Sequence, residues 1–184
     1  MPRIPYVTEE EASGEVRGML RDYSEEHGVR SLMRASLANH PPVLEVCVFF
    51  FEKAMREGEL ERELKETVGV VVSQTNGCAY CAASHRESLV EVFGLPAERV
   101  DAVREGSFDD LPHRHRVAAE FAAQAAEDPH RLTDEHFEAL AESGFSPENV
   151  VELLGVVGLF NFVNTYGIAM DLQPQDRDAV LPTY

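Results

Sequence analysis

The sequence is short of positive charge: 16 lysines and arginines stand against 33 acidic residues, a formal net charge of −17. Such a surface repels phosphate backbones and anionic headgroups, so nucleic acids and membrane surfaces are poor partners unless a dense basic patch overrides it. None is present. The densest basic stretch, His113-Arg114-His115-Arg116, is short. The sequence also lacks an apolar leader at Met1-Pro2-Arg3-Ile4-Pro5-Tyr6, which predicts a cytoplasmic protein. Its most apolar run, Val150 to Val163, carries Glu152 and Asn161 and reads as too short for a bilayer. Linkers rich in glycine or serine, strong repeats and strand signals are missing too, so residues 1–184 read as one all-α domain. Cysteine is scarce, with three in the chain. In a reducing compartment that excludes a structural disulfide framework. The Cys78-x-x-Cys81 pair is then left for redox chemistry or metal binding.

Helical punctuation runs from end to end. Thr8 and Glu11 form a capping box ahead of Val16, Met19 and Leu20, and Gly28 is placed to close that helix. A short helix is expected over Ser31 to Asn39, and Pro41-Pro42 opens another to about Glu57. Helices follow over Leu60 to Thr75, Cys78 to Phe93, Pro96 to Gly106, Pro112 to Glu127, Thr133 to Ser143 and Ser146 to about Met170. The tail, 171–184, holds two prolines and no periodicity and reads as an extended arm. Two segments, Val43 to Phe51 and Val150 to Val163, are apolar nearly all round. Helices of that kind are buried in a core or between subunits, which points to a homo-oligomer.

The chemistry concentrates between Glu66 and His85. A thiol is reactive as its thiolate, so a working site must pull its pKa below the free value of about 8.5. A helix start does so through unpaired N–H groups, and Asn76-Gly77 ends one helix so that Cys78 and Cys81 open the next. His85 follows Cys81 by four positions, about 40° round the helix and one turn along, where its imidazole can take the thiol proton. Cys78 lies three positions earlier on the same face, and a sulfenic acid formed on either thiol can be captured by the other as a disulfide. Glu66 can reach His85 if its helix packs antiparallel against the thiol helix. Helix position favours Cys78 as the more exposed thiol, while spacing to His85 favours Cys81. A structural zinc site would need a fourth ligand beyond Cys78, Cys81 and His85, and no second motif supplies one. Cys47 reads as a buried inert thiol. His113 and His115 face different sides, and His27 reads as a partner of its helix's last carbonyls. Asn161, Asn164 and Tyr166 read as polar groups satisfying buried partners.

Glu66, Cys78-Ala79-Tyr80-Cys81 and His85 together resemble the alkylhydroperoxidase D and carboxymuconolactone decarboxylase superfamily, in particular its uncharacterised peroxidase-related branch. The likeness is sharpest from Leu60 to Phe93 and extends to Leu32–Glu57 with its Asn39-His40-Pro41-Pro42 turn. It implies an all-helical fold assembled as trimers or hexamers, and a thiol peroxidase without metal, haem or other cofactor. The implied partners are a hydroperoxide substrate and a dithiol reductant, either a protein or a small thiol. The implied roles are Cys81 as peroxidatic thiol, Cys78 as resolving thiol, and His85 with Glu66 as proton relay. Tyr80 stands where the best-known alkylhydroperoxidase has histidine, and it is a candidate to contact substrate. The same thiols would also suit a disulfide oxidoreductase or redox sensor exchanging with a partner protein.

Overall fold

The computed structural model describes residues 3–28 and 30–174. They form an all-α fold, with no strand among the described residues. In chain order the helices are α1 (Gly14–His27), α2 (Leu32–Leu37), α3 (Pro41–Arg56), α4 (Arg62–Thr75) and α5 (Ala79–Glu87), then α6 (Ala97–Arg104), α7 (His113–Glu127), α8 (Asp134–Glu142) and α9 (Pro147–Ala169). The α5 helix runs on into a π-helical turn, Ser88–Val92.

Local signals set most of these limits. Ser31 caps α2 by accepting the Arg34 N–H, and Ser146 caps α9 in a reciprocal box with Asn149. Thr133 forms the corresponding box of α8 with His136. Gly28 ends α1 in the left-handed conformation. One start differs from the sequence reading. Thr8 and Glu11 do exchange hydrogen bonds, yet they close a free-standing turn, and α1 begins only at Gly14. Propensity at Glu9-Glu10-Glu11 is outweighed by Ser13-Gly14, where glycine takes a positive φ of 56°. The arm expected at 171–184 lies outside the described residues from 175 on. Its first residues turn back, the Leu172 N–H donating to the Gly167 carbonyl, and Leu172 is buried beside Cys78, Tyr80 and Cys81.

The α4 helix is the axis of the molecule. Every residue from Leu64 to Ser73 is buried, and α5, α7 and α9 all pack on it. Two charged residues lie within that stretch. Lys65 pairs with Glu152 of α9 at 2.5 Å and also donates to the Glu57 carbonyl, while Glu152 accepts the N–H groups of Glu59 and Leu60. This network ties the α3–α4 turn to α9.

By length and composition α9 could cross a membrane, contrary to the reading of its apolar core as too short. In the fold it is a core helix, with Leu153, Val156, Val157, Leu159, Phe160 and Val163 buried against α3, α4, α5 and α7. Its other side leaves Val151, Leu154, Phe162 and Ile168 exposed, and α3 leaves Val46 and Phe49 exposed.

Gly69 determines how closely α9 approaches α4. A Cβ there would stand 2.5 Å from Cζ of Phe160 and within 3.0 Å of two neighbouring ring atoms. Phe160 is fully buried and cannot swing into solvent. Gly69→Ala is therefore expected to destabilise the fold by about 1–3 kcal/mol through overpacking, more than the roughly 1 kcal/mol that alanine gains over glycine in a helix. A lower urea midpoint at unchanged slope is the measurement that shows it.

Candidate active site

Cys78 occupies the N-cap of α5, and its sulfur accepts the Cys81 N–H at 3.3 Å. The Cys78 N–H donates to the Ser73 carbonyl at 2.8 Å, which locks the α4–α5 corner. The two cysteines are joined as a disulfide with a Cα–Cα distance of 5.4 Å. Both are buried, so neither is the exposed thiol that a helix start alone would suggest for Cys78. Gly167 of α9 closes over them: a Cβ there would lie 3.1 Å from the Cys78 sulfur and 3.4 Å from that of Cys81. The backbone of α9 thus stands against the disulfide, with Leu32, Tyr80 and Leu172 around it.

His85 follows one turn along α5. Its Nδ1 lies 2.6 Å from Oε2 of Glu66, and Oε1 of Glu66 accepts from Arg62 Nε at 2.8 Å. The Glu66 side chain is 2% exposed and that of His85 12%. Burial alone raises the Glu66 pKa, but the adjacent His85 and Arg62 outweigh it and hold the carboxyl below its usual value. Phe160 meets the imidazole edge-on, with ring centroids 4.6 Å apart, and Phe51 stacks at 6.3 Å. Gly69, one turn along α4 from Glu66, makes room for that Phe160 ring.

A cavity of about 490 Å³ opens onto this group. Cys81, His85, Glu66 and Tyr80 all border it, and Cys78 does not. Its volume falls in the range of small-molecule sites, roughly 300–1,000 Å³. Met33, Val48, Phe51, Phe93 and Val163 supply apolar wall, and Tyr23, His27 and Arg34 line the side formed by α1 and α2. Cys47 also borders the cavity, and burial pushes its thiol up to about 11, with Arg34 opposing. It stays protonated, in keeping with an inert thiol.

Residues 41–108 match the carboxymuconolactone decarboxylase family. That match covers the segment from α3 to just beyond α6 and includes Glu66, Cys78, Cys81 and His85. Solved structures share the fold over nearly the whole chain. An uncharacterised peroxidase-related protein with an alkylhydroperoxidase core, from Ralstonia eutropha JMP134, superposes with a TM-score of 0.88 at 23% identity, over 95% of this chain and 93% of that one. A peroxidase-related protein from Silicibacter sp. TM1040 gives 0.82 at 22%, covering 94% and 93%. The debrominase Bmp8 gives 0.79 at 22%, covering 91% and 89%. No curated protein matches the chain in sequence.

The packing of α5 on α4 brings Cys78, Cys81, His85 and Glu66 together as one cluster, with Tyr80 at its edge. Sequence reasoning missed four neighbours. Arg62 had a signal, lying four positions before Glu66 on one helix. Gly69 had a weaker one, a glycine within a run of valines. Phe160 and Gly167 had none, because their roles exist only where α9 crosses α4 and α5. Elsewhere, Asn161 accepts from Asn76, Ser73 donates to Asn164 and Ser36 bonds Tyr166, so the polar groups of α9 do serve as internal partners. His27 departs from the sequence reading: its ring lies tilted against Tyr23 with centroids 4.2 Å apart and it pairs with Glu26, since the left-handed Gly28 already answers the Ser24 carbonyl. Among the described residues no group of three or more His, Cys, Asp or Glu side chains could hold a metal ion.

Proposed function

We propose that this chain is a dithiol peroxidase of antioxidant defence, working in the cytoplasm without a cofactor. One observation carries the reading: a buried carboxylate–imidazole pair and a cysteine of a disulfide-forming pair face the same small-molecule cavity. In the reduced enzyme the Cys81 thiol gives its proton to His85, held in orientation by Glu66. The thiolate attacks the terminal peroxide oxygen, and the O–O bond breaks. The departing alkoxide takes a proton from the relay and leaves as the alcohol, and Cys81 becomes a sulfenic acid. The Cys78 sulfur then attacks Cys81, a proton joins the hydroxyl, water leaves and the disulfide forms. A dithiol reductant restores both thiols by exchange and departs as its own disulfide. Tyr80 borders the path of the substrate.

The exposed apolar residues of α3 and α9 support a homo-oligomer, trimeric or hexameric by family likeness. Burial of both sulfurs favours a substrate small enough to enter the cavity over direct exchange with a folded partner protein. The test is consumption of cumene hydroperoxide and hydrogen peroxide by the purified protein with dithiothreitol or dihydrolipoamide, with 2,3,4-tribromopyrrole assayed alongside. Turnover of neither peroxide overturns the reading. Loss of bromide from the pyrrole alone would move the chain toward the debrominase chemistry named for its structural neighbour. Trapped mixed disulfides with proteins, without peroxide turnover, would make it a disulfide oxidoreductase or redox sensor.

A further inference from the structure

The cavity is larger than hydrogen peroxide requires, and its charges are unevenly disposed. Arg34, at the α1–α2 side, is half-buried, with its guanidinium 4.6 Å from the centre of the Tyr23 ring and one N–H group on the Met19 carbonyl. It makes no ion pair among the described residues. Glu26, which borders the same cavity, and Glu52 both act on it, but each is held by Arg56. Glu66, the acid deepest in the cavity, is committed to His85 and Arg62. A partly desolvated guanidinium without a carboxylate is costly, and an incoming anion relieves that cost. Glu87 and Glu91, on α5 and the π-helical turn that follows it, also border the cavity and disfavour an anion beside them. Apolar Met33, Val48 and Phe51 border the same cavity, with Cys81 in its wall.

We infer that the substrate is an organic hydroperoxide bearing a carboxylate, with Arg34 receiving the carboxylate while the peroxide group reaches Cys81. The inference rests on the peroxidase reading and names the substrate class of that same cavity. Arg34 is a specificity residue, and the chemistry at Cys81 is the cycle already given.

The test uses cumene hydroperoxide carrying either a para-carboxylate or a para-carboxamide, which match in size and differ in charge. A charge-assisted hydrogen bond predicts a kcat/KM preference for the carboxylate of about tenfold or more. In Arg34→Met that preference should fall to near one, with the loss in KM for the carboxylate, and Arg34→Lys should restore part of it. No preference in the wild type, or an equal loss on both substrates in Arg34→Met, overturns the inference and leaves the peroxidase reading standing. If neither peroxide is consumed, the peroxidase reading falls first. Calorimetric titration with the para-carboxylate alcohol then decides the site by itself: binding weakened in Arg34→Met supports it, and no binding to the wild type overturns it.

Discussion

Cys81→Ser is expected to abolish peroxide-dependent consumption of a dithiol, whereas Cys78→Ser should still allow one oxidation per chain. The asymmetry follows from access. Both sulfurs are buried against α9 at Gly167, but of the two only Cys81 borders the cavity through which a substrate arrives. A serine hydroxyl is far too weak a nucleophile at neutral pH to replace the thiolate, so turnover should drop to the uncatalysed background. In Cys78→Ser the sulfenic acid on Cys81 has no resolving thiol and should persist after a peroxide pulse. Intact-mass spectrometry reads this as one added oxygen, confirmed by trapping with a sulfenate reagent. The reverse pattern, with the oxygen carried by Cys78 in Cys81→Ser, would reassign the attacking thiol.

Glu66→Gln should lower peroxidase kcat/KM by about 10²-fold or more, the usual contribution of a positioned proton-transfer group. Glutamine keeps the shape of the contact to His85 but cannot hold the charge of an imidazolium or drive the proton outward. The same substitution is expected to lower stability. Breaking a buried ion pair typically costs about 3–5 kcal/mol, and the lower end applies here because Arg62 remains one-third exposed. The pH dependence carries the sign of a depressed carboxyl. Glu66 has a lower pKa folded than unfolded, so its stabilisation is full above the usual carboxyl value of 4.5 and disappears as pH falls through the folded value. Urea titrations across that acid range should show the wild type losing stability faster than Glu66→Gln, with the two curves converging at the acid end. Parallel curves would mean that Glu66 contributes no charge to the fold.

The two variants probe different levels of the same site. Cys81 tests where the substrate enters, and Glu66 tests whether the buried carboxylate is electrically coupled to His85. Gly69→Ala adds a third level, since the Phe160 ring it would displace is the one that meets the imidazole edge-on.

Features governed by neighbours in sequence were readable from the residues alone. Helix limits followed from Ser31, Ser146, Thr133 and Gly28, because caps are satisfied within one turn of the chain. The all-α class, the dithiol at a helix start and the spacing of His85 needed only the geometry of one helix. Glu66 required one further assumption, that α4 and α5 run back against each other across the Asn76-Gly77 turn. What the sequence could not decide is everything set by α9 and α2. The burial of both sulfurs depends on Gly167 lying against the disulfide, and what meets the imidazole edge-on depends on Phe160 fitting over Gly69. Arg34 joins the cavity from a helix with no sequence proximity to the thiols. Spacing reports contacts along one helix, but packing between distant helices is settled by how all the apolar faces are buried at once, and that is a property of the folded chain.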